Sequence, residues 1–174
     1  MISGGAGDDI LIVEKGHHIL LAEEGNDKLY GGEGNDLLIS DKGHDYLSGS
    51  VGNDIYVVAQ REGNVVIMDN QGHNRVFITG VDKNKPLISL REGDDEILRS
   101  QDNQFTLTIK DQYFKSSPSC QVEQKAKEVD SVNLSAIIYE MAQFNQTQLS
   151  SMVGGQLPST PDWSLLPVII NHLN

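Results

Sequence analysis

The sequence predicts an all-β architecture: a right-handed parallel β-roll, closed by a β cap and followed by a short C-terminal helical segment. Two observations predict the roll. A nine-residue block repeats six times without a break from Gly4 to Val57, and an aspartate fills the sixth place of five of those blocks. A third observation, short strand-like runs separated by turn residues over 86–109, predicts the cap.

The blocks are GGAGDDILI (4–12), VEKGHHILL (13–21), AEEGNDKLY (22–30), GGEGNDLLI (31–39), SDKGHDYLS (40–48) and GSVGNDIYV (49–57). Glycine holds the fourth place throughout, at Gly7, Gly16, Gly25, Gly34, Gly43 and Gly52. The sixth place is Asp9, His18, Asp27, Asp36, Asp45 and Asp54; the eighth is Leu11, Leu20, Leu29, Leu38, Leu47 and Tyr56. The first six residues of a block read as a turn, where glycine allows a tight backbone path. The last three read as a strand, whose alternation sends the eighth place inward and the seventh and ninth outward. Lys28 and Ser48 suit that outer face.

Two consecutive blocks make one full coil, so every second turn stacks on the same edge. One edge then carries Asp9, Asp27 and Asp45, and the other His18, Asp36 and Asp54. Neighbouring coils lie about 4.8 Å apart, as strands do. Carboxylates about 5 Å apart repel by ~0.8 kcal/mol in water and ~3 kcal/mol at an effective dielectric of 20. A cation converts the same oxygens into ligands. Calcium accepts six to eight oxygens in flexible geometry, whereas magnesium demands strict octahedral geometry and holds its water. The composition agrees: 25 acidic against 13 basic residues give a formal net charge of -12, which repels nucleic acid and anionic membranes and attracts hard cations. Zinc is a poor fit, because His17 and His44 sit in the fifth place of turns and the one cysteine, Cys120, offers no thiolate set. That cysteine is expected to be buried or incidental.

Residues 4–57 resemble the RTX (repeats-in-toxin) family, the hemolysin-type calcium-binding region of type I secreted bacterial proteins. The resemblance implies sites built from the second, fourth and sixth places of one turn and the first, third and sixth places of the next turn on the same edge. One site would use Gly5, Gly7, Asp9, Ala22, Glu24 and Asp27; a second Glu23, Gly25, Asp27, Ser40, Lys42 and Asp45; a third Gly32, Gly34, Asp36, Gly49, Val51 and Asp54. Only the aspartates would give side-chain oxygens, and the others backbone carbonyls. A fourth site would need Glu14, Gly16, Gly31, Glu33 and Asp36, but His18 stands where its second carboxylate belongs, so it is expected to be weakened or absent.

After Val57 the register slips by two. QREGNVVIM (60–68) and DNQGHNRVF (69–77) keep the glycines Gly63 and Gly72 and the apolar eighth places Ile67 and Val76, but Val65 and Asn74 replace the aspartate. They are expected to be metal-free coils closing the roll, since terminal repeats are usually atypical. The expected organisation is therefore a roll over 1–81, a β-rich cap over 82–125, and a helix with a C-terminal region over 126–174. In the cap, residues 86–90, 96–100 and 104–109 read as strands, and 91–95 as a hairpin turn. The run from Leu87 through Asp111–Phe114 to Gln124 resembles the segment that follows the repeats in several secreted relatives. Residues 116–130 read as a polar linker. Leu134, Ile137, Ile138, Met141 and Phe144 fall at helical spacing, behind Asp130 or Ser131 as a cap. By resemblance the extreme C-terminus carries an uncleaved signal for the type I secretion machinery.

No run approaches the roughly 20 apolar residues of a membrane span, and no signal-peptide pattern opens the chain. The repeat begins almost at Met1, so a preceding part is expected, and any membrane contact falls to it. The resemblance implies a calcium-binding module that folds on calcium after secretion, within an extracellular toxin or hemolysin, adhesin or exoenzyme. A calcium-stabilised module binding glycans or host surfaces is the alternative. No catalytic residues are expected, because Gly-x-Ser-x-Gly, His-Glu-x-x-His and P-loop patterns are missing. The expected partners are calcium ions and the secretion machinery, and the expected state is a monomer.

Overall fold

The structure is a computed structural model that describes residues 1–61, 63–113 and 120–124. The described residues are all-β, with no helix among them. The expected C-terminal helix, most of the linker and the secretion-signal region lie outside the described residues.

Each block supplies one short strand, as the period predicts. The strands are β1 (Ile2–Ala6), β2 (Ile10–Ile12), β3 (Ile19–Glu24), β4 (Lys28–Tyr30), β5 (Leu37–Ser40), β6 (Asp45–Ser48), β7 (Ile55–Ala59), β8 (Gly63–Met68) and β9 (Asn74–Thr79). They alternate between two parallel sheets. One runs β1-β3-β5-β7-β9, and the other contains β2-β4-β6-β8. Through the six blocks each residue pairs with the one two blocks on, as in Leu20↔Leu38 and Leu29↔Leu47. The step grows by two at Asp45↔Val65 and Ile55↔Arg75, where the sequence slips. The inserted residues lengthen β7 to Ala59 instead of breaking the stack.

The inward column is continuous. Leu20, Leu29, Leu38, Leu47, Tyr56, Ile67 and Val76 are fully buried, while Leu11 on the first coil packs partly against them. Burying a side chain of this size contributes about 1.5–3 kcal/mol, and two per coil is a thin core. The seventh and ninth places split between the sheets. Ile10, Ile12 and Lys28 on β2 and β4 are exposed, as alternation predicts. Leu21, Leu37, Ile39, Ile55 and Val57 on β3, β5 and β7 are buried. Those strands are apolar on both faces, so on that sheet alternation does not separate inside from outside.

Beyond β9 come β10 (Ile88–Glu92), β11 (Asp95–Arg99), β12 (Phe105–Lys110) and β13 (Cys120–Gln124). Strands β10 and β11 form an antiparallel hairpin whose two-residue loop has Gly93 at φ 64°. Strand β12 returns to pair in parallel with β8, and β13 pairs in parallel with β9. The cap is therefore a continuation of both sheets, with β10 as the outermost strand. Leu98, Phe105, Leu107 and Ile109 extend the apolar column into it. The buried Gln112 side chain accepts a bond from the Cys120 amide and donates to its carbonyl, each at 2.8 Å. A side-chain amide thus mimics a strand partner at the start of β13. Cys120 is buried, as expected.

Candidate metal centre

The turns on each edge stack so closely that the fourth-place glycine becomes a steric requirement. A Cβ on Gly43 would lie 1.7 Å from the carbonyl oxygen of Gly25, and one on Gly52 1.6 Å from that of Gly34. The same contact recurs at Gly63 and Gly72, 1.9 and 1.5 Å from the oxygens of Gly43 and Gly52. Two glycine ladders therefore run the length of the roll, through the degenerate coils as well.

Sixth-place carboxylates sit beside these ladders. The Oδ1 atoms of Asp27 and Asp45 accept the amides of Asp9 and Asp27, at 2.8 and 3.0 Å. On the other edge, Asp36 and Asp54 accept from His18 and Asp36, at 2.7 and 2.8 Å. Each aspartate thereby clasps the coil before it with one oxygen. The other oxygen is left over: Oδ2 of Asp9, Asp27, Asp36 and Asp54 is buried without a hydrogen-bond donor. A buried acceptor without a partner costs about 1–3 kcal/mol, and more when charged. Burial is accordingly the main cause that raises the carboxyl of Asp27 and that of Asp45, lifts Asp36 to about 6, and raises Asp54. Neighbouring carboxylates add to it; Asp45, Asp9 and Asp8 all push Asp27 upward.

The carbonyls assigned by resemblance lie in the same turns. Glu24 O accepts from Gly7 N at 2.9 Å, Lys42 O from Gly25 N at 3.1 Å and Val51 O from Gly34 N at 2.8 Å. Glu23 O accepts from Lys42 N, and Gly32 O from Val51 N. Each of these oxygens keeps a second lone pair. The second places Gly5, Glu23, Gly32 and Ser50 have φ between 69° and 90°, a left-handed path that costs little for the glycines and strains Glu23 and Ser50. A Cβ on Gly4 would meet Asp9 Oδ2 at 2.9 Å and Ala22 O at 3.2 Å, and Gly49 leaves room for Asp54, whose Oδ2 a Cβ there would meet at 2.2 Å. Among the described residues no three His, Cys, Asp or Glu side chains cluster. The donor set is one or two carboxylates with backbone carbonyls, all hard oxygens, and it fits calcium.

Two turns depart from this scheme. Ser40 is more than a carbonyl donor: its hydroxyl donates to Asp45 Oδ2 at 2.5 Å, so that oxygen is already served. His18 folds its ring back onto its own turn, with Nε2 3.0 Å from Lys15 O.

The fifth place, which looks variable in sequence, forms a second set of ladders. Asn26 N donates to Asp8 Oδ1, His44 N to Asn26 Oδ1 and Asn64 N to His44 Nδ1. Opposite, Asn35 N donates to His17 Nδ1, Asn53 N to Asn35 Oδ1 and His73 N to Asn53 Oδ1. These bonds run from the later coil to the earlier one, against the sense of the sixth-place bonds. A signal was available, because the fifth place of all eight blocks is Asp, Asn or His.

The RTX calcium-binding nonapeptide repeat matches residues 1–17 and 21–56, in four copies. The interruption begins at His18, the sixth place without a carboxylate. No curated protein matches the chain.

Proposed function

We propose, from the match of residues 1–17 and 21–56 to the RTX calcium-binding nonapeptide repeat, that the chain is a module whose folding is driven by calcium. The supporting observation is the set of four buried, donor-less Oδ2 atoms on turns that stack along the two edges. Calcium supplies the positive charge that joins two adjacent turns. Asp9 with Asp27, Asp27 with Asp45, and Asp36 with Asp54 hold it, together with carbonyls from Gly5, Gly7, Ala22 and Glu24, from Glu23, Gly25, Ser40 and Lys42, and from Gly32, Gly34, Gly49 and Val51. Without it, the same carboxylates oppose closure of the coils.

Ligand binding to the folded state alone adds RT ln(1 + [L]/Kd), about 1.4 kcal/mol per site at tenfold excess. Extracellular modules bind at roughly 10⁻⁴–10⁻³ M. Such a module stays open where calcium is scarce and closes where it is plentiful. This suits export through a type I channel and function outside the cell, as part of a larger toxin or hemolysin, adhesin or exoenzyme. Far-UV circular dichroism of the chelator-treated chain tests the reading. The β signal is expected to be lost at neutral pH and regained in millimolar calcium; a roll fully formed in chelator contradicts it.

One observation favours a calcium-stabilised adhesion module instead. Tyr30 and Tyr46 stand side by side on neighbouring strands, ring centroids 5.7 Å apart, half-buried. Aromatic faces of this kind stack on sugars. A glycan array with and without calcium decides, and binding lost in Tyr46→Ala supports adhesion.

A further inference from the structure

The coil expected to be metal-free contains a buried acidic pair. Asp69 occupies the first place of the block 69–77, and only 3% of it is exposed; Asp54 is fully buried. Their carboxyls lie within hydrogen-bonding range of each other.

Asp69 is held as an acceptor. Its Oδ2 receives the Tyr56 hydroxyl at 2.5 Å, and its Oδ1 receives the Gln71 amide at 3.1 Å. The Tyr56 oxygen itself accepts the Gly49 amide at 2.7 Å, which fixes the direction of the hydroxyl proton toward Asp69. Asp54 spends Oδ1 on the Asp36 amide and has no donor on Oδ2. Two acceptor-only groups therefore face each other out of water, a juxtaposition that requires something positive between them.

The sequence step explains the arrangement. Asn74 takes over the ladder role of the sixth place, accepting the Asp54 amide at 2.9 Å. Its other terminal atom is a donor, spent on Gln71 O at 3.0 Å, and no amide nitrogen ligates a hard cation. The carboxylate missing from the sixth place reappears in the first place of the same block.

We propose that Asp54 and Asp69 form a further divalent-cation site of the calcium class, between the turns 49–54 and 69–74. Asp54 Oδ2 and the Asp69 carboxylate are its side-chain ligands, and Ser50, Gly52 and Gln71 lie in position to add carbonyl oxygens. The site rests on the reading of the roll as calcium-binding and extends it past the family-matched residues. Its donors differ from those of the other sites, because one carboxylate comes from the first place and a tyrosine hydroxyl braces it.

The test counts ions on the full chain by equilibrium dialysis in millimolar calcium. Asp69→Asn keeps the shape and the Tyr56 contact and is expected to carry one ion fewer than the unchanged chain, with the same circular dichroism. Equal counts in the two folded proteins overturn the site and mean that a shared proton joins the pair. Where Asp69→Asn does not fold, terbium decides. Tyrosine-sensitised terbium emission is expected to fall in Tyr56→Phe, and unchanged emission overturns the site. An unchanged chain that binds no calcium refutes the wider reading; one that binds calcium and loses no ion on Asp69→Asn refutes this site alone.

Discussion

The six regular blocks and the two degenerate ones share a backbone but differ in what fills the sixth place. Both keep the glycine ladder, the inward apolar column and the parallel register. In five of the six regular blocks the sixth place is an aspartate; Asp27, Asp36 and Asp54 each clasp the preceding coil with one oxygen and bury the other without a donor. In the degenerate pair it is Asn74, which makes the same clasp, or Val65, which makes none and is buried in the core. The clasp can thus be made by an amide or omitted. What the aspartate adds is the second oxygen, which at Asp27, Asp36 and Asp54 is buried with no hydrogen-bond donor.

The largest effect expected is metal-independent. Gly52→Ala places a methyl 1.6 Å from the Gly34 oxygen, and Gly72→Ala one 1.5 Å from the Gly52 oxygen. Neither contact can relax without separating two coils, so each is expected to cost more than ~4 kcal/mol. Both variants should fail to regain the roll even in excess calcium. Normal calcium-dependent refolding of Gly72→Ala would show that the degenerate coils do not stack as tightly as the regular ones.

Asp27→Asn separates the two jobs of the sixth place by making a regular turn resemble that of Asn74. The clasp to Asp9 survives, whereas Oδ2 becomes a donor. Calorimetric titration is expected to show at least one ion lost, because Asp27 serves two sites. The metal-free variant is expected to be more stable at neutral pH than the unchanged chain, since a neutral group replaces a buried charge. A retained ion count would break the distinction between clasp and ligand.

Acidity should act wherever a carboxyl is buried, in the regular coils and at Asp69 of the degenerate pair. Burial lifts Asp36 from 3.8 to about 6, so between these values the folded, metal-free chain binds more protons than the unfolded chain. Stability is then fullest below pH 4 and falls as pH rises through 6, by about 3 kcal/mol for this group. Asp27, Asp45 and Asp54 shift in the same direction. Without metal, far-UV circular dichroism should show more β signal at pH 4.5 than at pH 7.5, with calcium reversing the order. A metal-free β signal that rises with pH would show the carboxylates to be solvated.

Much of this was legible in the sequence because a period leaves little freedom. Once two blocks make a coil, Asp27 must stack on Asp9, and Leu29 must point where Leu11 points. The hairpin at Gly93 was legible for a local reason, a glycine between two strand-like runs. Three things were not. The buried outer places Leu37, Ile39 and Val57 were assigned outward by alternation, which says nothing about a sheet that is apolar on both faces. The fifth-place ladders were hidden by mixed identity, since Asp, Asn and His look dissimilar until their shared ability to accept an amide is noticed. Asp69 was passed over because it stands in the first place, where the repeat uses a backbone oxygen. Only folding brings it to Asp54, by stacking the turn that begins at Asp69 on the turn that ends at Asp54.

The smallest effect expected is at Ser40, and it sharpens the comparison within the regular blocks themselves. The first places of three other turns are Gly4, Gly31 and Gly49, whose missing side chains leave the carboxylate oxygen of Asp9, Asp36 or Asp54 open. At the fourth, the Ser40 hydroxyl bonds Asp45 Oδ2 and helps to lower that carboxyl against its burial. A hydrogen bond to a charged group contributes roughly 1.5–3 kcal/mol, part of which is forfeited if the oxygen turns to a cation. Ser40→Gly is therefore expected to destabilise the metal-free chain by about 1 kcal/mol and to tighten calcium at the Asp27–Asp45 site by up to about tenfold. Paired denaturation and calcium titrations read the two halves separately. Weaker calcium binding in Ser40→Gly would mean that the hydroxyl belongs to the ligand set and does not compete with it.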